Sequence, residues 1–242
     1  MNKIEKKLPP SVLYKYRCFK RCLSIIKENE IYFSFPNNLN DPFECLSIID
    51  IKDYEKEKLL EKEIFKKIQE ECERYRREEY NNHYTFFSLS EVRDSILLFS
   101  HYSTQHQGVC IGFDTTKYPF KDASVVEYKN NLPRINLSDS SHSDIINFAP
   151  FLTKAKVWEY EKEWRIINYE EECRINKDEN KVLKFEGIAI KEIILGCKIS
   201  PKDKKDLLDI IKEKKLKISI FQAKQKKYQY ALELEEIPLY DH

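Results

Sequence analysis

The chain predicts an α+β fold: a mixed, mainly antiparallel sheet with flanking helices and one long charged helix. Three observations carry this. Short segments of alternating β-branched and aromatic residues recur along the chain, and few helical stripes separate them. There is no regular strand–helix–strand rhythm of the kind that builds a doubly wound sheet. Only 4 glycines stand among 242 residues, which leaves no room for a dinucleotide-binding turn or a phosphate-cradling loop. With 41% hydrophobic and 13% aromatic residues and nothing resembling a linker, we expect one domain, residues 1–242, carrying a helical insertion at about 52–80.

Taken in order, Val12 to Arg17 (VLYKYR) alternates as a strand, with Tyr14 and Tyr16 on one face and Leu13, Lys15 and Arg17 on the other. Cys18 to Asn29 carries a helical stripe of Phe19, Cys22, Leu23 and Ile26. Ile31 to Phe35 is a short strand, closed by Pro36 and the turn-rich loop PNNLNDPFE. Lys52 to Tyr80 is the long charged helix, whose apolar positions Leu60, Ile64, Ile68, Cys72 and Tyr75 keep to a narrow stripe. Tyr84 to Ser90 reads as a strand and Asp94 to Tyr102 as a short helix ended near Gly108; Val109 to Asp114 and Ala123 to Tyr128 follow as strands. Asn130 to Asp144 is a polar loop, Phe148 to Lys156 a helical turn, and Val157 to Asn168 largely strand. Gly187 to Leu195 is a strand, Ser200-Pro201 opens a helix running to about Lys214, and Leu216 to Phe221 and Tyr228 to Glu235 finish the sheet.

Charge is balanced, 42 basic against 41 acidic residues, so the whole chain offers no footprint for duplex nucleic acid, although a local basic groove stays open. The 7 cysteines (18, 22, 45, 72, 110, 173 and 197) form no CxxC pair, and Cys18 and Cys22 are spaced as a helix face. Reduced, mostly buried thiols and a reducing compartment fit this best. MNKIEKKLPP lacks an apolar signal core and no apolar run is long enough to span a membrane, so the expectation is a cytoplasmic protein with no membrane partner.

Five polar clusters stand out in strand-rich surroundings. Arg17 ends the first strand beside Tyr16, where a guanidinium can hold a phosphate or carboxylate through two parallel hydrogen bonds; a surface salt bridge is the alternative. Asn40, Asp41 and Glu44 of NDPFE could line a site or simply stabilise a turn. Ser88 and Ser90 share a strand face, their hydroxyls free for a ligand or a neighbouring strand. His101 is an acid/base candidate beside Tyr102, or a partner of the helix carboxyl end. In YEKEWR, strand geometry places Glu161, Glu163 and Arg165 on one face, where two carboxylates raise each other's pKa unless the cation intervenes.

LYKYR, IYFS-x-PNNLNDPFE, FSLS, SHYSTQHQGVCIGFD and WEYEKEWRI together resemble an uncharacterised bacterial domain family, from about Leu13 to Ile167, with Phe99 where that family shows Trp and Ser103 where it shows Ala. A second resemblance is to Arg-Ser-Glu ADP-ribosyltransferases, on Arg17, Ser88-Leu89-Ser90 and Glu161-Lys162-Glu163 in that order. It implies NAD as cofactor, with Arg17, Ser88, Ser90, His101 and Tyr102 around it. Arg17 would anchor the pyrophosphate, Ser88 brace the site and Tyr102 stack on nicotinamide. Glu163 would bond the ribose hydroxyl and stabilise an oxocarbenium-like transition state, with Glu161 orienting the acceptor. Tyr16, Asn40, Asp41, Glu44 and Arg165 are the substrate-side candidates. The acceptor is left open (protein, nucleic acid or small molecule), as is oligomeric state, and the implied setting is a toxin or anti-phage defence.

Two other readings stay open. One is a magnesium-dependent nuclease or phosphoesterase using Asp41, Glu44, Asp114 and Glu163, with Lys162 near a phosphate; no D-x-D or E-x-K core supports it. The other is a non-catalytic recognition module, in which the same motifs form a structural polar network and the long helix docks a partner. The NAD reading requires Arg17 and Glu163 to meet across a shared hollow.

Overall fold

Alternating apolar residues build one large sheet, described here from a computed structural model covering residues 7–50, 62–136, 148–169 and 181–239. The chain opens with β1 (Val12–Arg17) and runs straight into α1 (Phe19–Glu28), whose Cys22, Ile25 and Ile26 are buried. Asn29, in the left-handed conformation at φ 53°, stops that helix and turns the chain into β2 (Glu30–Phe33). β3 (Ile48–Asp50) follows the NDPFE loop, and α2 (Lys62–His83) delivers β4 (Tyr84–Ser90). Ser95 accepts a hydrogen bond from the Leu98 amide and so starts α3 (Ile96–Tyr102), two residues later than the sequence suggested. β5 (Val109–Asp114) is buried at every position.

β6 (Ser124–Val125), β7 (Glu127–Lys129), β8 (Arg134–Asn136) and β9 (Thr153–Ala155) are short. β10 (Glu163–Tyr169), β11 (Lys181–Lys184) and β12 (Ile190–Leu195) lead to α4 (Pro201–Glu213), and β13 (Ser219–Gln225) and β14 (Leu232–Glu236) complete the chain. The main sheet has the order β14-β13-β12-β5-β1-β4-β10-β6 and is antiparallel except between β12 and β13. α4 makes that parallel crossover, and its Ser200 cap accepts from the Asp203 amide as the sequence anticipated. The fold is therefore α+β with a mixed, mainly antiparallel sheet.

Leu13, Phe87, Leu89, Ile111, Phe113, Trp164, Ile193 and Leu195 pack under α1 and α4 on one sheet face, which Lys15 and Arg17 share by alternation along β1. The other face carries two separate apolar clusters, one around Tyr14, Tyr16, Leu98 and Phe99, the other around Cys45, Tyr84, Phe86 and Phe151. Polar side chains fill the interval between them.

Local expectations fail where tertiary contacts override pattern. Val157 to Asn168 is not one strand: Lys156–Glu161 is a 3-10 helix, Lys162 is left-handed at φ 44°, and the strand begins at Glu163. Ala123 to Tyr128 divides into β6 and β7, because Val126 turns to bond the Glu163 carbonyl. β9 replaces part of the expected helical turn, β8 lies inside the expected loop, and Tyr228 sits in a turn before the last strand. The long helix is described from Lys62 and runs three residues past Tyr80; its expected start at Lys52, with Leu60, lies outside the described residues.

Candidate functional site

β5 and β1 pair along all six residues of β1, and β10 and β4 along all seven of β4, but β1 and β4 are in register at only one position, Tyr14 with Ser90. Beyond that pair the two central strands part, and the sheet is wedged open at its middle. Two groups fill the vacated edge of β4. Ser34 exchanges both backbone hydrogen bonds with Phe86, at 2.8 Å each, and the Lys15 ammonium donates to the Ser88 carbonyl that β1 would otherwise have satisfied. A cleft of about 270 Å³ occupies the wedge, lined by Tyr14 to Arg17, Asn40, Glu44, Ser88, Ser90, Tyr102, Lys154, Glu161 and Glu163.

One wall is a buried ionic network. Arg165, 0% exposed, donates from Nε to Glu163 Oε1 at 2.7 Å, from Nη2 to Glu163 Oε2 at 3.1 Å and to Glu44, and from Nη1 to the Phe151 carbonyl at 2.9 Å. Lys154 Nζ donates to Glu161 Oε2 at 2.6 Å and Glu163 Oε2 at 2.9 Å, and lies 3.4 Å from Glu44 Oε1. The Tyr102 hydroxyl donates to Glu161 Oε1 at 2.6 Å and accepts from Asn40 Nδ2 at 3.1 Å. The left-handed Lys162 is what allows Glu161 and Glu163, on different elements, to reach one ammonium.

The opposite wall is cationic. Among the described residues Lys15 makes no ion pair; its Nζ lies 4.7 Å from the Phe87 ring centroid, and burial, with Arg17 beside it, pulls its pKa well down. Among the described residues nothing hydrogen-bonds the Arg17 guanidinium, whose pKa burial, aided by Arg21, lowers to about 10. The end of β1 is clamped by the loop after α3. Thr104, Gln105 and His106 are all left-handed (φ 52°, 53° and 71°), the His106 ring stacks on Phe99 at 5.9 Å, and a Cβ on Gly108 would meet the Arg17 carbonyl at 2.2 Å. The QHQG part of the motif is thus structural.

The structure brings together Tyr16, Arg17, Asn40, Glu44, Ser88, Ser90, Tyr102, Glu161 and Glu163. It does not bring in three others. His101 is exposed and does not line the cleft, since it faces away one position before Tyr102 on a short helix. Asp41 accepts from the Phe43 amide at 2.9 Å and from Trp158 Nε1 at 2.7 Å, so its carboxylate serves the turn. Arg165 lies wholly buried behind Glu163, not on the substrate side. Ser90 is also committed: it donates to the Glu161 carbonyl at 2.6 Å and accepts from the Val92 amide at 3.0 Å. Tyr16 donates to the Val92 carbonyl at 2.7 Å.

Sequence reasoning missed Lys15 and Lys154. Lys15 was visible only as the neighbour of Arg17 in alternation, and Lys154 is one of two lysines, with Lys156, in an otherwise mostly apolar stretch with no motif around it. Of the acidic residues of the magnesium reading Glu44 and Glu163 meet at Arg165, but Asp41 is held by Phe43 and Trp158 and Asp114 by Thr116 and Lys191, and among the described residues no group of three His, Cys, Asp or Glu is placed to hold a metal. The same residues leave six cysteines free, and no described helix is long and apolar enough to cross a membrane.

The network titrates with two opposite signs. Burial raises the Glu44 carboxyl above its ordinary 4.5, with Arg165 opposing and Glu163 adding to the rise. Burial also disfavours the Glu163 charge, but Arg165 and Lys154 outweigh it and hold that carboxyl well below 4.5. The Glu163 contribution to stability is full above about pH 4.5 and is lost as pH falls towards its folded value. The Glu44 contribution is full below about pH 4.5 and is lost as pH rises through its folded value. Urea midpoints at constant salt are therefore expected to rise as pH falls from 7 towards 5, then drop steeply below about 4.5. Glu44→Gln should flatten the upper limb and leave the acid limb in place.

Residues 98–166 match the family model described as protein of unknown function (DUF2971). The matched stretch runs from α3 to β10 and carries Tyr102, Lys154, Glu161, Glu163 and Arg165, whereas Arg17 and Glu44 lie outside it. No curated protein and no solved structure matches the chain.

Proposed function

We propose that the cleft binds NAD and transfers its ADP-ribose group, releasing nicotinamide. The observation that carries this is the meeting, in one wedge between β1 and β4, of Arg17, whose guanidinium has no hydrogen-bond partner among the described residues, and a pair of carboxylates, Glu161 and Glu163. A pyrophosphate fits the Arg17–Lys15 wall: among the described residues neither cation has a carboxylate in ion-pair contact, and both have charges that burial disfavours until an anion arrives. A volume of about 270 Å³ suits the nicotinamide ribose and pyrophosphate, with the rest of the molecule outside.

When bound, NAD supplies a glycosidic bond whose cleavage leaves positive charge on the ribose. Glu163, ionised and fixed by Arg165 and Lys154, places a preorganised negative charge against it. Among the described residues the Glu161 carboxylate accepts only from Tyr102 and Lys154 and so keeps lone pairs for the acceptor's proton. The C–N bond breaks with its electron pair going to nicotinamide, the acceptor oxygen or nitrogen bonds the anomeric carbon, and the acceptor proton passes to Glu161.

The three hydrogen bonds already made by Glu163 also favour a second reading, a recognition domain held in shape by the network. Incubation with NAD labelled in the nicotinamide ring separates the two. Nicotinamide release is expected from the wild type, and Arg17→Gln should raise KM by on the order of tenfold or more while leaving kcat within a few fold. Absence of both NAD binding and release in the wild type eliminates the transferase reading.

A further inference from the structure

The turn joining β13 to β14, Lys226 to Ala231, carries two tyrosines that touch almost nothing: Tyr228 is 103% and Tyr230 104% exposed. Tyr228 is left-handed at φ 60°, a conformation that Gly or Asn adopts far more cheaply than a bulky ring. The turn closes through Lys226 N donating to the Ala231 carbonyl at 3.0 Å, so the rings are presented on a fixed hairpin. Around them Lys198, Lys226 and Lys227 are exposed and form no ion pair among the described residues, while Lys224 is paired with Glu235. From Lys224 to Tyr230 (KQKKYQY) there is no acidic residue. Beside the hairpin is a cavity of about 570 Å³, walled by Tyr228, Tyr230, Lys198, Ile96 and His106.

Rings held in water next to unpaired ammonium groups match one chemistry: unstacked bases on a phosphate backbone. An acidic protein would pair with the lysines but gives no reason for two bare rings. Duplex DNA hides its base faces and needs a broader basic surface than three lysines. We propose that this hairpin is a binding platform for single-stranded nucleic acid. Ile96, at one end of α3, lines the cavity, and Tyr102, at the other end, lines the cleft. A helix of this length separates the two sites by about 10 Å. A strand that runs from the hairpin along α3 reaches the cleft, and on that path nucleic acid is the acceptor class. That last step rests on the NAD reading; the binding itself does not.

The test is fluorescence anisotropy with labelled single-stranded RNA and DNA oligonucleotides on the full chain, across salt concentrations. Binding is expected, with log K falling about 2 per decade of salt for three phosphate contacts. Tyr228→Ala and Tyr230→Ala should each weaken it on the order of tenfold, while Tyr228→Phe should not. Lys226→Gln with Lys227→Gln should remove about 1.4 from the slope. Duplex DNA and heparin should compete poorly. No binding by the wild type, equal binding of heparin, or indifference to both alanine variants overturns the proposal. Since these residues lie outside the cleft, nicotinamide release to water should be unchanged in every variant. Loss of that release in the wild type sinks the transferase reading and leaves the binding result standing.

Discussion

Arg165→Met is expected to lower the unfolding free energy by about 3–5 kcal/mol, a large part of the roughly 5–15 kcal/mol that holds a domain together. The reason is the charge that stays behind. Arg165 is fully buried and gives four hydrogen bonds, three of them to Glu44 and Glu163. With methionine in its place, Lys154 alone faces Glu44, Glu161 and Glu163, all within 3.4 Å of its ammonium. Two carboxylates must then take up protons or draw in water. The size of the effect therefore measures stranded anions, not lost attraction, and a compensated variant can tell the two apart. Arg165→Met combined with Glu44→Leu and Glu163→Leu leaves only the Lys154–Glu161 pair, which is balanced, and should recover most of the loss. Urea denaturation at pH 7 checks both. A single variant that costs less than about 1 kcal/mol would mean that the network is not the closed assembly described.

That network shows what the sequence could and could not reveal. Strands such as VLYKYR and VCIGFD were legible because their alternation reflects burial on one or both faces. The wedge between β1 and β4 was not, because strand separation depends on pairing partners, and neither strand's pattern records that pairing stops after Tyr14 and Ser90. Arg17 and Glu163 were visible as unusual charges in strand-like surroundings, and they do line one cleft. Glu161 reaches the site for a different reason from the one expected: a left-handed Lys162, unsignalled by glycine or asparagine, turns a 3-10 helix end towards the strand. Lys154 is the clearest omission. Its importance comes from three carboxylates that lie 7, 9 and 110 residues away in the chain, and no local window brings those together.

The same count of hydrogen bonds assigns different roles to the two carboxylates in catalysis. A carboxylate offers about four lone-pair positions. Glu163 has three used, by Arg165 Nε and Nη2 and by Lys154. Glu161 has two used, by Tyr102 and Lys154. On the NAD reading, Glu163 acts as a fixed charge and Glu161 is the group able to receive a proton. Glu161→Gln is therefore expected to reduce kcat for nicotinamide release with transfer by about 10²–10³-fold at nearly unchanged KM, because the lost interaction forms only as the acceptor attacks. Glu163→Gln should also lose about 10²–10³-fold, the scale of a missing preorganised charge. Its distinguishing mark is the loss of the acid limb of stability below about pH 4.5, which Glu161→Gln should retain. Single-turnover rates paired with pH-dependent urea midpoints give both readouts on the same preparations. An active Glu161→Gln beside an inactive Glu163→Gln would hand the proton-accepting role to Glu163, and the hydrogen-bond count would then be the wrong guide to this cleft.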